Sequence, residues 1–322
     1  MRDVKGFCRL MDISVPDYAH FDYYINQFSK LERWKNIKDL IKLYEEAEEK
    51  YGDLYEFRIN KSNEITEDGI ALLRQAISDA VDHAREFKTD EILAFATSAI
   101  RDARNGAQIL ANLNEEFGIE INILSGDEEA TMTFLAARRW YGWSSGRLLV
   151  IDIGGGSLEI GLGDDENPEA TISLPLGAAR LTREFLDNDP YTSKEIRNLE
   201  SKVRELVISE LPEEIVEHAA DQFVATSKTF RTLARLGAHW FKGDPDVLEL
   251  SALMMMIPKL SEMTDKSRAD LPGVSASRAK QITAGAIVAR TVMERLHITQ
   301  IQICPWALRE GIVLRWLDWM ER

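Results

Sequence analysis

One segment of this 322-residue chain limits its fold more than any other: LLVIDIGGGSLEI, residues 148–160. An apolar strand ends in a carboxylate, three consecutive glycines turn the chain, and a second strand leaves with Leu158, Ile160 and Leu162 on one face. Without side chains, Gly154, Gly155 and Gly156 let several backbone N–H groups, with that of Ser157, approach one phosphate, and they accept φ > 0 where a turn requires it. The functional reading is a phosphate cradle. Asp152, at the strand end, suits Mg²⁺ directly or through water, and Glu159 lies on the face opposite the apolar one, aimed into the same cleft. The plainer alternative is a glycine-rich hairpin with a solvated aspartate, although hairpins seldom need three glycines.

Around this segment, strands alternate with helices. The spacing predicts a helix over 70–87, strands over 91–96 and 120–124, and helices over 108–117 and 127–140. This βα alternation implies a largely parallel sheet, and a boundary near Leu124 divides a first domain, 1–124, from a second, 125–322. The stretch from 194 onward reads as mostly helical, interrupted by strands at 222–225 and 300–304. Leu253, Met254, Met255, Met256 and Ile257 read as core. The first 60 residues diverge from the alternation: 36–51 carries an apolar helical stripe where strands would be expected.

Two further anion sites follow one design, a strand, a Thr-Ser pair and a helix start. In the first, Ser98 is followed by Arg101 and Arg104, one turn apart. In the second, Ser227 precedes Lys228 and Arg231, cations in a first helical turn where the dipole disfavours them unless an anion sits there. Capping and solvated arginines are the plainer readings. The run Ser125-Gly126-Asp127-Glu128-Glu129 opens a helix with acidic residues, which serves either capping or a base that activates water. Gly177 and Arg180 stand where a turn enters a helix, and an ordinary connection accounts for them.

Composition narrows the partners. Fifty-four acidic against 39 basic residues give a net charge of -15, which opposes nucleic acid. A polyanion would need a local basic track, for which Arg101, Arg104, Lys228 and Arg231 are the candidates. No apolar run approaches the roughly 18 residues that span a bilayer, and two distant cysteines, Cys8 and Cys304, argue for a cytoplasmic chain without disulfides. The five histidines show no metal spacing and no Ser-His-Asp arrangement.

Taken in order, FATSAIRDARN (95–105), ILSGDEEA (123–130), LLVIDIGGGSLEIGLG (148–163), SLPLGAARLTREF (173–185), VATSKTFRTLARL (224–236) and CPWALREGIVLRW (304–316) resemble the exopolyphosphatase and guanosine pentaphosphate phosphohydrolase family over 65–317. The resemblance implies an α/β chain of two domains of the actin, sugar-kinase and heat-shock-ATPase type with an interdomain cleft. It implies a phosphohydrolase acting on polyphosphate or a phosphorylated guanine nucleotide, with Mg²⁺ as cofactor and a homodimer as the assembly. Carried over by position, Glu129 is the water-activating base with Glu128 as the lesser candidate, and Asp152 and Glu159 serve Mg²⁺ and water. Gly154 to Ser157 hold the terminal phosphate, while Arg101, Ser98, Ser227 and Lys228 line its surroundings. Lys228 stands where the family usually has glycine.

One departure concerns the N-terminal part. Family members open with a phosphate loop of the form Asp-x-Gly-Ser-Asn-Ser, and no such string exists here, so the resemblance leads one to expect impaired turnover. The rival from another class is a catalytically silent phosphate-binding protein. A kinase of the same superfamily is disfavoured because no nucleotide-base pocket emerges.

Overall fold

The computed structural model describes residues 58–89 and 92–320. The helix expected over 36–51, and the N-terminal stretch where the family carries its first phosphate loop, lie outside the described residues apart from 58–68.

Helix α1 (Glu67–Glu86) starts where the Thr66 hydroxyl accepts from Gly69 N, with Glu67 and Asp68 favouring the dipole, and buries Leu73 and Val81. Strand β1 (Ala94–Ala96) runs parallel to β2 (Ile121–Ile123), pairing Ala94 with Ile121 and Ala96 with Ile123. Between them lie a single turn, α2 (Ser98–Arg101), and α3 (Gly106–Phe117). These elements pack around Ile65, Leu73, Ile109 and Leu113. Helix α4 (Gly126–Tyr141) follows.

The second sheet has six strands in the order β5-β4-β3-β6-β8-β7. Strands β3 (Leu148–Ile153), β4 (Leu158–Gly163) and β5 (Ala170–Leu174) form an antiparallel meander. Strand β6 (Gln222–Ala225) adds parallel to β3, and β8 (Gln300–Ile303) parallel to β6. Strand β7 (Val247–Glu249) closes the edge antiparallel to β8. A meander followed by two parallel additions is the arrangement of one half of an actin-type fold, as the resemblance implied. The parallel pairing expected from the βα alternation holds for β1 and β2; in the second sheet three of the five pairings are antiparallel, and short turns rather than helical crossovers connect β3 to β4 and β4 to β5.

Helices α5 (Ala178–Phe185), α6 (Ser193–Glu210), the single turn α7 (Glu213–Val216), α8 (Ser227–Phe241), α9 (Leu250–Glu262), the short α10 (Asp265–Ala269) and α11 (Ala276–Arg295) follow in order. Helix α11 is buried on most of its circumference and sits inside the large core with Ile151, Leu158, Ile160 and Leu233. Helix α12 (Leu308–Met320) ends the described chain. The methionine run divides as helical geometry dictates: Met256 is buried, whereas Met254 and Met255 face outward, so only part of it is core. Strands β5 and β7 were not expected from the sequence. Both are short, and their half-exposed positions leave no apolar alternation to read.

Every residue of β3 and β4 is buried except Asp152. That aspartate stands at the carboxyl end of β3, between an antiparallel neighbour, β4, and a parallel one, β6, which is where open α/β sheets leave a crevice. No described helix is long and apolar enough to cross a membrane.

Candidate active site

Three carboxylates meet at this end of the sheet. Asp152 accepts from the hydroxyl of Thr226, the fully buried residue that extends β6 by donating its N–H to Ile151 O at 2.9 Å. Glu159 is the cross-strand partner of Asp152, and such pairs share one face of the sheet with Cβ atoms about 5 Å apart. It accepts from Ser173 Oγ at 3.0 Å, one strand over, and from the Ser157 hydroxyl. Glu129 comes from the first turn of α4 and accepts from Arg101 Nη1.

The two adjacent glutamates of α4 take different places. Glu128 is exposed and completes a capping box, its Oε2 accepting from Ser125 N at 2.8 Å while its own N–H donates to Ser125 Oγ at 3.2 Å. Glu129 is 6% exposed and faces inward. Capping is thus supplied by Glu128, which leaves a buried carboxylate in its neighbour with no structural duty at the helix start.

Burial, opposed by the Arg101 guanidinium and reinforced by the charges of Asp152 and Asp102, pushes the Glu129 carboxyl up to about 7. Glu159 is pushed up to about 8 by burial and by the charges of Asp152 and Glu129, against hydrogen bonds from Ser157 and Ser173. Burial also raises Asp152, opposed by Thr226 and by Arg231. Carboxyls held near neutrality by their surroundings suit proton transfer or a divalent cation. Among the described residues no three His, Cys, Asp or Glu side chains group closely enough to hold a metal together. The residues present fit Mg²⁺ as a pair, Asp152 and Glu159, with water and substrate oxygens completing the shell, which is how Mg²⁺ is commonly bound.

Beside the carboxylates the glycine loop turns tightly, Gly154 N donating to Ser157 O at 2.9 Å. None of Gly154, Gly155 or Gly156 has a positive φ, so the turn does not use that freedom. Close approach is what requires glycine here. A Cβ on Gly156 would lie 2.4 Å from Ser98 Oγ, and one on Gly177 would lie 2.2 Å from Gly156 C and 2.3 Å from Gly155 O. The N-terminus of α5 carries the loop: Ala178 N donates to Gly154 O, and Ala179 N and Arg180 N to Gly155 O, each at 3.0 Å. The connection around Gly177, which looked ordinary in sequence, is the floor under the loop.

Ser98 is buried against Gly156, but Thr97 makes no side-chain cap and α2 has only four residues. Arg101 lines a cavity of about 400 Å³ together with Asp127, Ser157 and Ser173. It donates through Nη1 to Leu124 O at 2.8 Å and to Glu129, and through Nε to Asp102 Oδ1 at 3.1 Å. At the second Thr-Ser pair the two hydroxyls divide. Thr226 turns to Asp152, and Ser227, with φ of 74°, adopts a left-handed conformation rare for serine while its Oγ accepts from Phe230 N at 3.4 Å. Lys228 follows in the first turn of α8, half-buried. Thr226 and Asp102 are site neighbours that the sequence reading did not name for this purpose, and the repeated Thr-Ser at a strand end was the available signal for Thr226.

A carboxylate-ended strand, a glycine loop on a helix N-terminus and an inward glutamate are the groups that phosphate chemistry requires, here in an actin-type fold. Residues 42–320 match the Ppx/GppA phosphatase family, and the chain belongs to it. It is 48% identical over 267 residues to exopolyphosphatase 1 of Mycobacterium bovis, a match spanning 80% of this chain and 76% of that one. It is 24% identical over 263 residues to the guanosine-5'-triphosphate,3'-diphosphate pyrophosphatase of Photobacterium profundum, covering 82% of this chain but 52% of the relative. Among solved structures, the Aquifex aeolicus member of the Ppx/GppA family is similar with a TM-score of 0.65 at 26% identity, covering 83% of this chain and 87% of that one.

Proposed function

We propose that this chain is a phosphoric anhydride hydrolase that releases the terminal phosphate of inorganic polyphosphate, or of guanosine pentaphosphate, by in-line attack of water. The observation that carries the reading is the buried Glu129, freed from capping, held near neutrality and facing Asp152 and Glu159 beside the glycine loop. Glu129 takes the proton of the attacking water, as a carboxylate within about 3 Å of that water can. Arg101 fixes the orientation of its oxygens. Gly154, Gly155, Gly156 and Ser157 receive the terminal phosphate, with Ser98, Ser227 and Lys228 around it. Asp152 and Glu159 hold Mg²⁺, which when bound supplies neutralisation of the charge shared by attacking, transferring and leaving oxygens. The division at Leu124 belongs to the same reading. It is supported by the separate small core around Leu73 and Leu113, and it places Arg101 and Glu129 on opposite sides of the cleft.

The direct test is phosphate release from long-chain polyphosphate and from guanosine pentaphosphate, with and without Mg²⁺. Metal-dependent release from at least one is expected, and no release from either would overturn the reading. For a base held at about 7, kcat/KM falls roughly tenfold per pH unit below that value. A profile flat from pH 5 to 8 would remove Glu129 from the proton transfer.

Stability gives an independent check. Both glutamates keep their proton to higher pH in the folded chain than in an unfolded one, where the ordinary value is 4.5. Between about pH 4.5 and 8 the native state therefore binds more protons, so stability is greatest at the acid end of that window, falls as pH rises through it and levels off above. Without metal, Tm is expected to be lower at pH 8 than at pH 6, and Mg²⁺ is expected to raise Tm more at pH 8. An equal effect of Mg²⁺ at both would argue against binding at these carboxyls.

A further inference from the structure

Helix α5 does more than support the glycine loop. Arg180, in its first turn, donates through Nη2 to Asp102 Oδ2, 78 residues away. The other oxygen of Asp102 accepts from Arg101 Nε at 3.1 Å, and the Nη1 of Arg101 reaches Glu129. Four side chains from three helices thus form one unbroken line, from the helix that carries the loop to the buried glutamate. The Arg180 end is anchored by backbone, and the middle of the line is held from outside it. Arg180 N donates to Gly155 O at 3.0 Å, and Asp102 O accepts from Asn63 Nδ2 at 2.6 Å.

The line is not explained by stability. The Arg180 side chain is 16% exposed, and its Nε is buried without a hydrogen-bond partner, so the placement of this guanidinium leaves a polar atom unsatisfied. Asp102 is shared between two arginines, which only a carboxylate can do with both oxygens at once. Arg101, for its part, has donors facing Leu124 O, Asp102 and Glu129, so its orientation depends on which acceptors hold it.

We propose that Arg180 and Asp102 are positioning residues that tie the orientation of Arg101, and hence the aim of Glu129, to the seat of the glycine loop. Phosphate in the loop and the base that activates water are then held in one frame, so the water is activated where the phosphorus sits. The inference rests on Glu129 acting as the base.

The test is a set of substitutions read by kcat and KM for phosphate release, with Tm as a control. Arg180→Gln is expected to lower kcat about tenfold with KM changed less than about twofold, because it disturbs an interaction that matters in the transition state. Asp102→Asn, which turns an amide NH2, a donor, toward one of the two arginines, is expected to do the same, and Arg180→Lys to recover part of the loss. In a Glu129→Gln background, measured by single turnover, Arg180→Gln is expected to cost nothing further, since residues acting through one group are not additive. A raised KM with unchanged kcat would make Arg180 a direct phosphate contact and overturn the inference. So would a further tenfold loss in the Glu129→Gln background, or a change confined to Tm. Wild-type turnover of Glu129→Gln alone would instead remove the base assignment, and this inference with it.

Discussion

Glu129→Gln is expected to lower the rate of phosphate release about 100-fold or more while leaving the folded structure intact, the usual scale for the loss of a positioned base. Glutamine has the same volume, and its amide oxygen still accepts from Arg101 Nη1, so packing and the hydrogen-bond line survive. What disappears is the carboxylate. Because burial already disfavours charge at this position, removing it does not destabilise the chain, and above pH 7 Tm is expected to stay level or rise. Glu128→Gln is the control one residue away. It weakens a capping box on an exposed surface, so it is expected to lower stability by at most about 1 kcal/mol and to leave turnover per folded molecule unchanged. Thermal melts and initial rates on both variants separate the two glutamates. If Glu129→Gln lowered Tm while turnover per folded molecule held, the residue would be structural.

The second large effect is expected at Gly177. A methyl group there would stand 2.2 Å from Gly156 C and 2.4 Å from Gly155 C, and these are backbone atoms that no rotamer change can move away. Gly177→Ala therefore has to lift the glycine loop off the N-terminus of α5, breaking the bonds from Ala178, Ala179 and Arg180 to the loop carbonyls. Overpacking of this kind costs about 3 kcal/mol, which for a chain of this size lowers Tm by roughly 5 °C or more. Activity is expected to fall with it, because the phosphate seat itself is displaced. Gly154→Ala gives the contrast: its Cβ would meet only Ser157 O, at 3.5 Å, an ordinary contact. That variant is expected to melt like the parent. A Gly177→Ala protein with parental Tm and turnover would show that the loop and α5 are not locked together as described.

Much of this was legible in the sequence, and the reason is local. An apolar strand that ends in a carboxylate and runs into three glycines carries its own conformation, so β3, the loop and β4 follow from residues 148–163 alone. The strand at 222–225 and most helices announced themselves through periodicity, which depends only on neighbours a few residues away. Strands β5 and β7 did not, because short strands at the rim of a sheet owe their pairing to what lies beside them in space.

At the site, the residue types were readable and their partners were not. Sequence named Glu128 and Glu129 together, and only the direction in which α4 packs decided which one caps the helix and which is buried. It named a Thr-Ser cap at 226–227, where the fold instead spends the Thr226 hydroxyl on Asp152, 74 residues distant. Arg101 read as a residue lining the cleft, yet its engagement with Glu129 depends on two helices meeting across the molecule. Gly177 carried no signal, since nothing in its own neighbourhood requires glycine and its φ is ordinary for any residue. The requirement comes from a loop 21 positions earlier pressed against it. The amino-acid sequence by itself determined the strands on either side of the glycine loop, the turn between them and the chemical groups on offer; tertiary packing alone decided which of those groups meet, because burial, charge coupling and steric exclusion act through space rather than along the chain.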